Sequence, residues 1–252
     1  MKGLKSFHMP PKTRYKNWNA LNFYLRSTWW DFLNLFFPLN CAACGNYLFK
    51  GEKVICTSCL FQLPKTNFHF QKENPISEIF MGRVKIDNAT AFFTFNKGSK
   101  YQKLIHKLKY NRQAEIGIEL GRHFGNTLMN SDEYRDIDAI IPVPLHPKKK
   151  KARTYNQSEM IAKGMAEVMN SKLIVDVLVR SIHSESQTKK DKIERWLNVK
   201  NVFALKSTEQ LKNKHVLLVD DVVTTGATIE ACAQRLLETD QIKVSIACLA
   251  QA

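Results

Sequence analysis

No run of eighteen or more apolar residues occurs in the 252-residue chain, so no membrane-spanning helix is expected. A secretory signal is not expected either, because the basic start is broken by Pro10, Pro11, Lys12 and Arg14 before any apolar core can form. The cytoplasm is the expected compartment, and stable disulfides are rare there. Acids are scarce: 23 Asp and Glu stand against 38 Lys and Arg, a formal net charge of +15. The excess is clustered. Residues 97–112 carry six basic side chains and no acid, and KKKKAR at 148–153 carries five. Such a surface attracts phosphate-rich partners, a nucleotide-like ligand or a nucleic-acid backbone. A merely solvated charged face accounts for the overall excess equally well.

Against that background the acidic pair in VLLVDDVVTTGAT, 216–228, stands out. Four apolar residues suit a short buried strand, and Asp220 and Asp221 fall where that strand is expected to end. Thr224, Thr225, Gly226, Ala227 and Thr228 then form a small-residue turn. A helical stripe of Ile229, Cys232, Ala233 and Leu236 comes next. Backbone N–H groups at a helix start, with the positive end of its dipole, hold a phosphate. Gly226 lets the backbone approach that phosphate, and the threonine hydroxyls can donate to it. The two carboxylates can accept bonds from ribose hydroxyls. Adjacent acids at the end of a buried strand are costly without a ligand or partner. The segment lacks the lysine of a P-loop, which weakens an ATP or GTP reading.

The second informative region is Cys41, Cys44, Cys56 and Cys59, two CxxC pairs with eleven residues between them. In a cytoplasmic chain this spacing reads as a four-thiolate zinc site. Redox motifs and disulfides are the competing readings. Gly45 follows the second cysteine, where such a turn needs a positive φ. Cys232 and Cys248 have no partner spacing and read as buried apolar residues.

Residues 1–28 read as a polar extension. Residues 29–39 read as a short apolar helix docking on the cysteine region, and 60–87 as a connector of little periodicity. Strands are expected at 89–95, 137–143, 173–179, 216–219 and 243–249. Helices are expected around Tyr101, Leu104, Ile105 and Leu108, over 116–129, where Gly121 and Gly125 weaken the pattern, and over 156–168. The alternation argues for an α/β fold, a mostly parallel sheet flanked by helices. A ligand site belongs at the carboxyl ends of its strands. The expected organisation is 1–35 as an extension with a short apolar helix, 36–66 as a small cysteine module, and 87–252 as the α/β domain.

The 216–228 segment resembles the PRPP-binding motif of type I phosphoribosyltransferases. The wider set resembles the ComF family of competence-associated, phosphoribosyltransferase-like proteins. That set is FPLNCAAC at 37–44, CTSC at 56–59, HKLKY at 106–110, IPVPLHPKKKKARTYNQSE at 141–159, and Gln187, Arg195 and Asn198. The resemblance implies a type I phosphoribosyltransferase-like fold with an N-terminal zinc module, PRPP as ligand and Mg²⁺ carried with it. It implies that Pro142, Val143, Pro144, Leu145 and His146 bind diphosphate and that 180–198 closes as a lid. Arg195, with Asp220 and Asp221, would serve catalysis, and either Arg180 or Arg195 could neutralise the departing diphosphate. His146 reads alternatively as a loop cap, and Arg195 as a surface ion-pair partner. One departure is Thr154, where the family often has glycine. Two functions are consistent with this set: a phosphoribosyltransferase of unknown acceptor, or a non-catalytic PRPP sensor that binds single-stranded DNA.

Overall fold

The computed structural model describes residues 38–110, 113–145, 153–180 and 202–252. The chain divides into two units, Met1–Leu39 and Asn40–Ala252, and the second contains all the elements considered below. In chain order its helices are α1 (Thr57–Phe61), α2 (Pro75–Phe80), α3 (Lys100–Tyr110), α4 (Ala114–Leu128), α5 (Asp132–Arg135), α6 (Gln157–Met169) and α7 (Ala227–Leu236). Its strands are β1 (Ala89–Thr94), β2 (Ala139–Pro142), β3 (Lys172–Leu173), β4 (Leu178–Arg180), β5 (Phe203–Leu205), β6 (His215–Val223) and β7 (Lys243–Gln251).

Five strands form one parallel sheet in the order β1-β7-β6-β2-β3, and β4 pairs antiparallel with β5 in a second, two-stranded sheet. The inner strands β6 and β7 are nearly continuous apolar runs because both faces of the sheet are covered. One face packs on α3, α4 and α6, the other on α2, α7 and the β4–β5 pair. Two expectations are corrected here. The strand beginning at 216–219 does not end at the acids: β6 runs on through Asp220 and Asp221 to Val223, pairing Val222 with Ala250 and Val223 with Gln251 of a longer β7. The strand expected over 173–179 is two pieces. Leu173 stays beside β2, while Leu178 and Val179 pair with β5. The break falls around Asp176, whose charge suits the solvent between buried Ile174 and buried Val177.

The stripe Tyr101, Leu104, Ile105 and Leu108 is buried as its spacing requires. The glycines that weaken the α4 pattern are its contact surface with α6. A Cβ at Gly121 would lie 2.2 Å from the Ile161 carbonyl oxygen, and one at Gly164 would lie 2.0 Å from that of Ile118. Close approach of two backbones outweighs the helix-propensity cost of glycine, about 1 kcal/mol each.

The supposed connector 60–87 is structured, which corrects the third expectation. Asn74 Oδ1 accepts from the N–H groups of Ile76 (2.9 Å) and Ser77 (3.2 Å), and Ser77 Oγ accepts from the Asn74 N–H at 2.9 Å. This capping box, with Pro75 in the first turn, starts a helix too short to show periodicity. Asn74 Nδ2 also donates to the Ala89 carbonyl at 2.9 Å, and Ile76 and Phe80 are fully buried. Upstream, the chain runs along the free edge of β1, where Thr66 N–H donates to Phe92 O (3.1 Å) and Thr94 N–H to Pro64 O (3.0 Å).

Candidate functional site

A cavity of about 220 Å³ opens at the carboxyl ends of β2 and β6. Asp220 and Asp221 form one wall. The turn after β2 (Val143, Pro144, Leu145), the start of α6 and Thr228 of α7 form others, and Lys109, Arg153 and Arg180 reach in from the rim. The acids come together where the packing of β6 slips out of simple alternation. Leu217, Val219 and Val222 pack toward α4 and α6, while Val216, Leu218 and Val223 pack toward α7. The slip at 220–221 gives both carboxylates partners from helices of the same layer. Ser158 Oγ, on α6, donates to Asp220 Oδ1 at 2.8 Å, and Lys109 Nζ, on α3, lies 3.1 Å from Asp221 Oδ2. The Asp221 N–H also donates to Asp220 Oδ1 at 2.8 Å. Withdrawal from water, and then the charge of Asp221, push the Asp220 carboxyl up to about 7, while Ser158, the Asp221 N–H and Lys109 pull it down.

The turn after β2 is fixed from both sides. Val143 N–H donates to Val219 O at 2.9 Å, and Asn156 Nδ2 donates to Val143 O at 2.9 Å. Asn156 also caps α6 through Ser158 N–H at 3.2 Å. Pro142 ends β2, and Pro144 and Leu145 line the cavity. In the second loop Gly226 caps α7 with φ 73°, in the left-handed region. Its neighbours add a second reason for glycine, since a Cβ would sit 2.6 Å from Ile79 Cγ2 and 2.9 Å from Phe80 Cε1. Arg83 braces the same loop by donating to the carbonyls of Thr225 and Ile79, each at 3.0 Å, and by pairing with Glu230. Thr224, Thr225, Ala227 and Thr228 are exposed, and of these Thr228 faces the cavity.

Of the residues expected at the site, Asp220, Asp221, Val143, Pro144, Leu145, Arg180 and Thr228 meet at the cavity. His146, Arg195, Gln187 and Asn198 lie outside the described residues. The sequence assigned no individual role to Lys109, Arg153, Asn156, Ser158 or Arg83, although Lys109 and Arg153 belong to the basic runs read as attracting phosphate. All but Arg83 stand inside motifs already singled out, HKLKY and KKKKARTYNQSE, but nothing in the residue types revealed which faced inward. Arg153 is oriented by Gln157 Oε1 (3.1 Å) and by Tyr110, whose hydroxyl it reaches at 3.2 Å and whose ring centroid lies 5.0 Å from its guanidinium. Beside it, Thr154 has φ 70°, a conformation that a β-branched residue rarely adopts. The family's glycine at this position answers that geometry.

The four cysteines converge. Their sulfurs all lie within 4.8 Å of one another, with Cys44 Sγ and Cys56 Sγ 3.8 Å apart. Tetrahedral zinc with Zn–S bonds near 2.3 Å places its sulfurs about 3.8 Å apart. Gly45 has φ 83°, as the turn requires, and its N–H donates to Cys41 O at 2.9 Å. The N–H of Cys56 points at Cys41 Sγ (3.3 Å) and that of Cys59 at Cys56 Sγ (3.4 Å). None of the four is in a disulfide. The module is anchored by Tyr101, whose hydroxyl donates to Cys59 O at 2.9 Å, and by Lys100, which donates to Gln62 Oε1 at 2.8 Å. Cys232 and Cys248 are buried, as expected.

The parallel sheet, the acidic pair at its carboxyl edge and the loop leading into α7 define a protein with a type I phosphoribosyltransferase-like fold. Residues 156–252 match the family model described as "Phosphoribosyl transferase domain". A DNA utilization protein YhgH from Escherichia coli O157:H7 is 30% identical over 218 residues, covering 83% of this chain and 88% of its own length. The competence protein ComFC of Bacillus subtilis is 26% identical over 207 residues, 76% of this chain and 81% of its own. A hypoxanthine phosphoribosyltransferase from Staphylococcus aureus is 18% identical over 55% of this chain and 64% of its own, with a TM-score of 0.33. That superposition is loose, and the fold assignment stands on the sheet and the family model. With the four-cysteine module in front of this fold, the chain belongs to the ComF family. Among the described residues no helix is long and apolar enough to cross a membrane.

Proposed function

We propose that the cavity binds PRPP, with its diphosphate along the 143–145 turn and the start of α7 and its ribose against Asp220 and Asp221. The observation that carries this reading is the acidic pair set between two backbone turns, with Lys109, Arg153 and Arg180 around it. Carboxylates accept hydrogen bonds from ribose hydroxyls, and arginines match phosphate oxygens. The oxygen donors of Asp220 and Asp221 suit a hard cation. Mg²⁺ arriving with the diphosphate would supply charge neutralisation there. In a transferase, a nitrogen nucleophile would form the new bond to the anomeric carbon as the bond to diphosphate breaks, with the leaving charge taken up by the cationic rim. The cysteine cluster, by donor set and spacing, suits one structural Zn²⁺.

A second reading is favoured by the relatives, which are named DNA utilization and competence proteins, and by the net charge of +15. Here the protein works in DNA uptake or processing, in the cytoplasm, and its basic surface meets single-stranded DNA. The PRPP site then acts as a sensor or as an enzyme beside that surface.

One paired titration tests both readings. Wild type and the Asp220→Ala/Asp221→Ala variant are titrated by calorimetry with Mg·PRPP and with a single-stranded oligonucleotide. The ligand reading expects saturable PRPP binding in the wild type, weakened at least about tenfold in the variant, the equivalent of roughly 1.4 kcal/mol. The DNA reading expects oligonucleotide affinity that survives in the variant and falls steeply with salt. Equal PRPP affinity in the two proteins would reject the site.

A further inference from the structure

Among the described residues, the charged side chains lining the cavity are Lys109, Arg153, Arg180, Asp220 and Asp221, and they are not equivalent. Arg153 is committed to Gln157 and Tyr110, and Arg180 lies over the Phe203 ring, 5.3 Å from its centroid. Asp220 is committed to Ser158 and the Asp221 N–H. Among the described residues, Lys109 is the cation that contacts the acidic pair, at 3.1 Å from Asp221, with both side chains largely shielded from solvent. It comes from the last turn of α3, on a flexible four-carbon stem, so its ammonium can move several ångströms without disturbing the helix.

We infer that Lys109 is an exchangeable counter-ion: it neutralises Asp221 in the empty site and passes to the ligand's diphosphate when hydroxyls or a ligand-borne cation take the carboxylate. The inference rests on the PRPP reading and adds a selection rule to it. A bare divalent cation must displace an ammonium and offers it nothing in return, so it binds poorly. A cation carried by a diphosphate brings a new anionic partner for the displaced ammonium, so the complex binds well. The site thereby discriminates the metal–diphosphate complex from free metal.

The two halves have opposite signs, which a merely structural role cannot reproduce. In the full-length protein, Lys109→Gln is expected to bind Mn²⁺ alone about tenfold more tightly and Mg·PRPP about tenfold more weakly. Lys109→Arg keeps the charge and is expected to stay within about threefold of wild type for Mn²⁺. Mn²⁺ is followed by its paramagnetic signal, and Asp221→Ala added to Lys109→Gln should remove the gain. Mn²⁺ affinity that is unchanged or lower in Lys109→Gln overturns the counter-ion role, and unchanged Mg·PRPP affinity overturns the exchange. A wild type that fails to bind Mg·PRPP would sink the ligand reading instead, leaving the Mn²⁺ comparison to decide whether Lys109 screens the acids.

Discussion

Withdrawal of the Asp220 carboxyl from water beside Asp221 raises its pKa to about 7, against an ordinary carboxylate value of about 4. Between those values the folded protein holds a proton that the unfolded chain has already released. Unfolding then releases that proton, so this site's contribution to stability falls as pH rises through the window and levels off above it. Asp220→Asn removes the titration while keeping the shape. Urea denaturation from about pH 5 to about pH 8 should show the variant gaining stability relative to wild type up to about pH 7, then holding a constant difference from it. A difference independent of pH would contradict the account. At the same scale, Thr154 shows how one residue can carry a cost without a visible benefit. Its left-handed φ is of the kind that costs on the order of 1–3 kcal/mol for a residue other than glycine, and among the described residues no contact of its side chain explains why threonine is there.

Among the elements, those legible from the sequence are the ones whose burial writes a period. The β6 and β7 runs and the stripes of α3 and α7 are buried where their spacing places them. Two kinds of element were hidden. α2 is shorter than two turns, so its apolar residues Ile76 and Phe80 form no periodic series, and its real signal is the Asn74-Pro75-x-Ser77 cap. The close α4–α6 contact is made by glycines, which look like helix breakers until the partner backbone is known. The cysteine module lies between these cases. Its ligands were readable from spacing, but its attachment was not. Cys41, Ala42, Ile55, Cys59 and Leu63 belong to the same apolar cluster as Phe92, Tyr101 and Leu104. Metal loss should therefore be felt beyond the module. Purified protein is expected to carry one zinc per chain. Chelation, or Cys44→Ser, should lower the melting temperature of the whole unit, because metal binding of this kind is coupled to folding, at about 10–16 kcal/mol in isolated zinc peptides. Protein that contains no zinc, with all four thiols reactive toward a thiol reagent, would contradict the assignment.

At the scale of the whole molecule, the fold and half of the site were legible, and the reason for the other half is physical. Asp220, Asp221 and Thr228 sit in one short stretch of chain and announce themselves as a motif. Lys109, Ser158 and Arg153 reach the same cavity from other helices and loops, and residue type alone could not distinguish them from the solvated cations and hydroxyls around them. The lysine-rich stretch 97–112 shows the difficulty well. Its Lys109 serves the cavity, and Lys100 bonds to the cysteine module, so the run is not one uniform surface for a nucleic-acid backbone. The central claim, that this cavity is where PRPP binds, is tested most directly by a crystal structure of the full chain with Mg·PRPP. The expected result is density for the diphosphate between the 143–145 turn and the N-terminus of α7, with the ribose hydroxyls on Asp220 and Asp221 and Lys109 released from Asp221. An empty cavity at saturating ligand, or PRPP bound elsewhere on the chain, would contradict it.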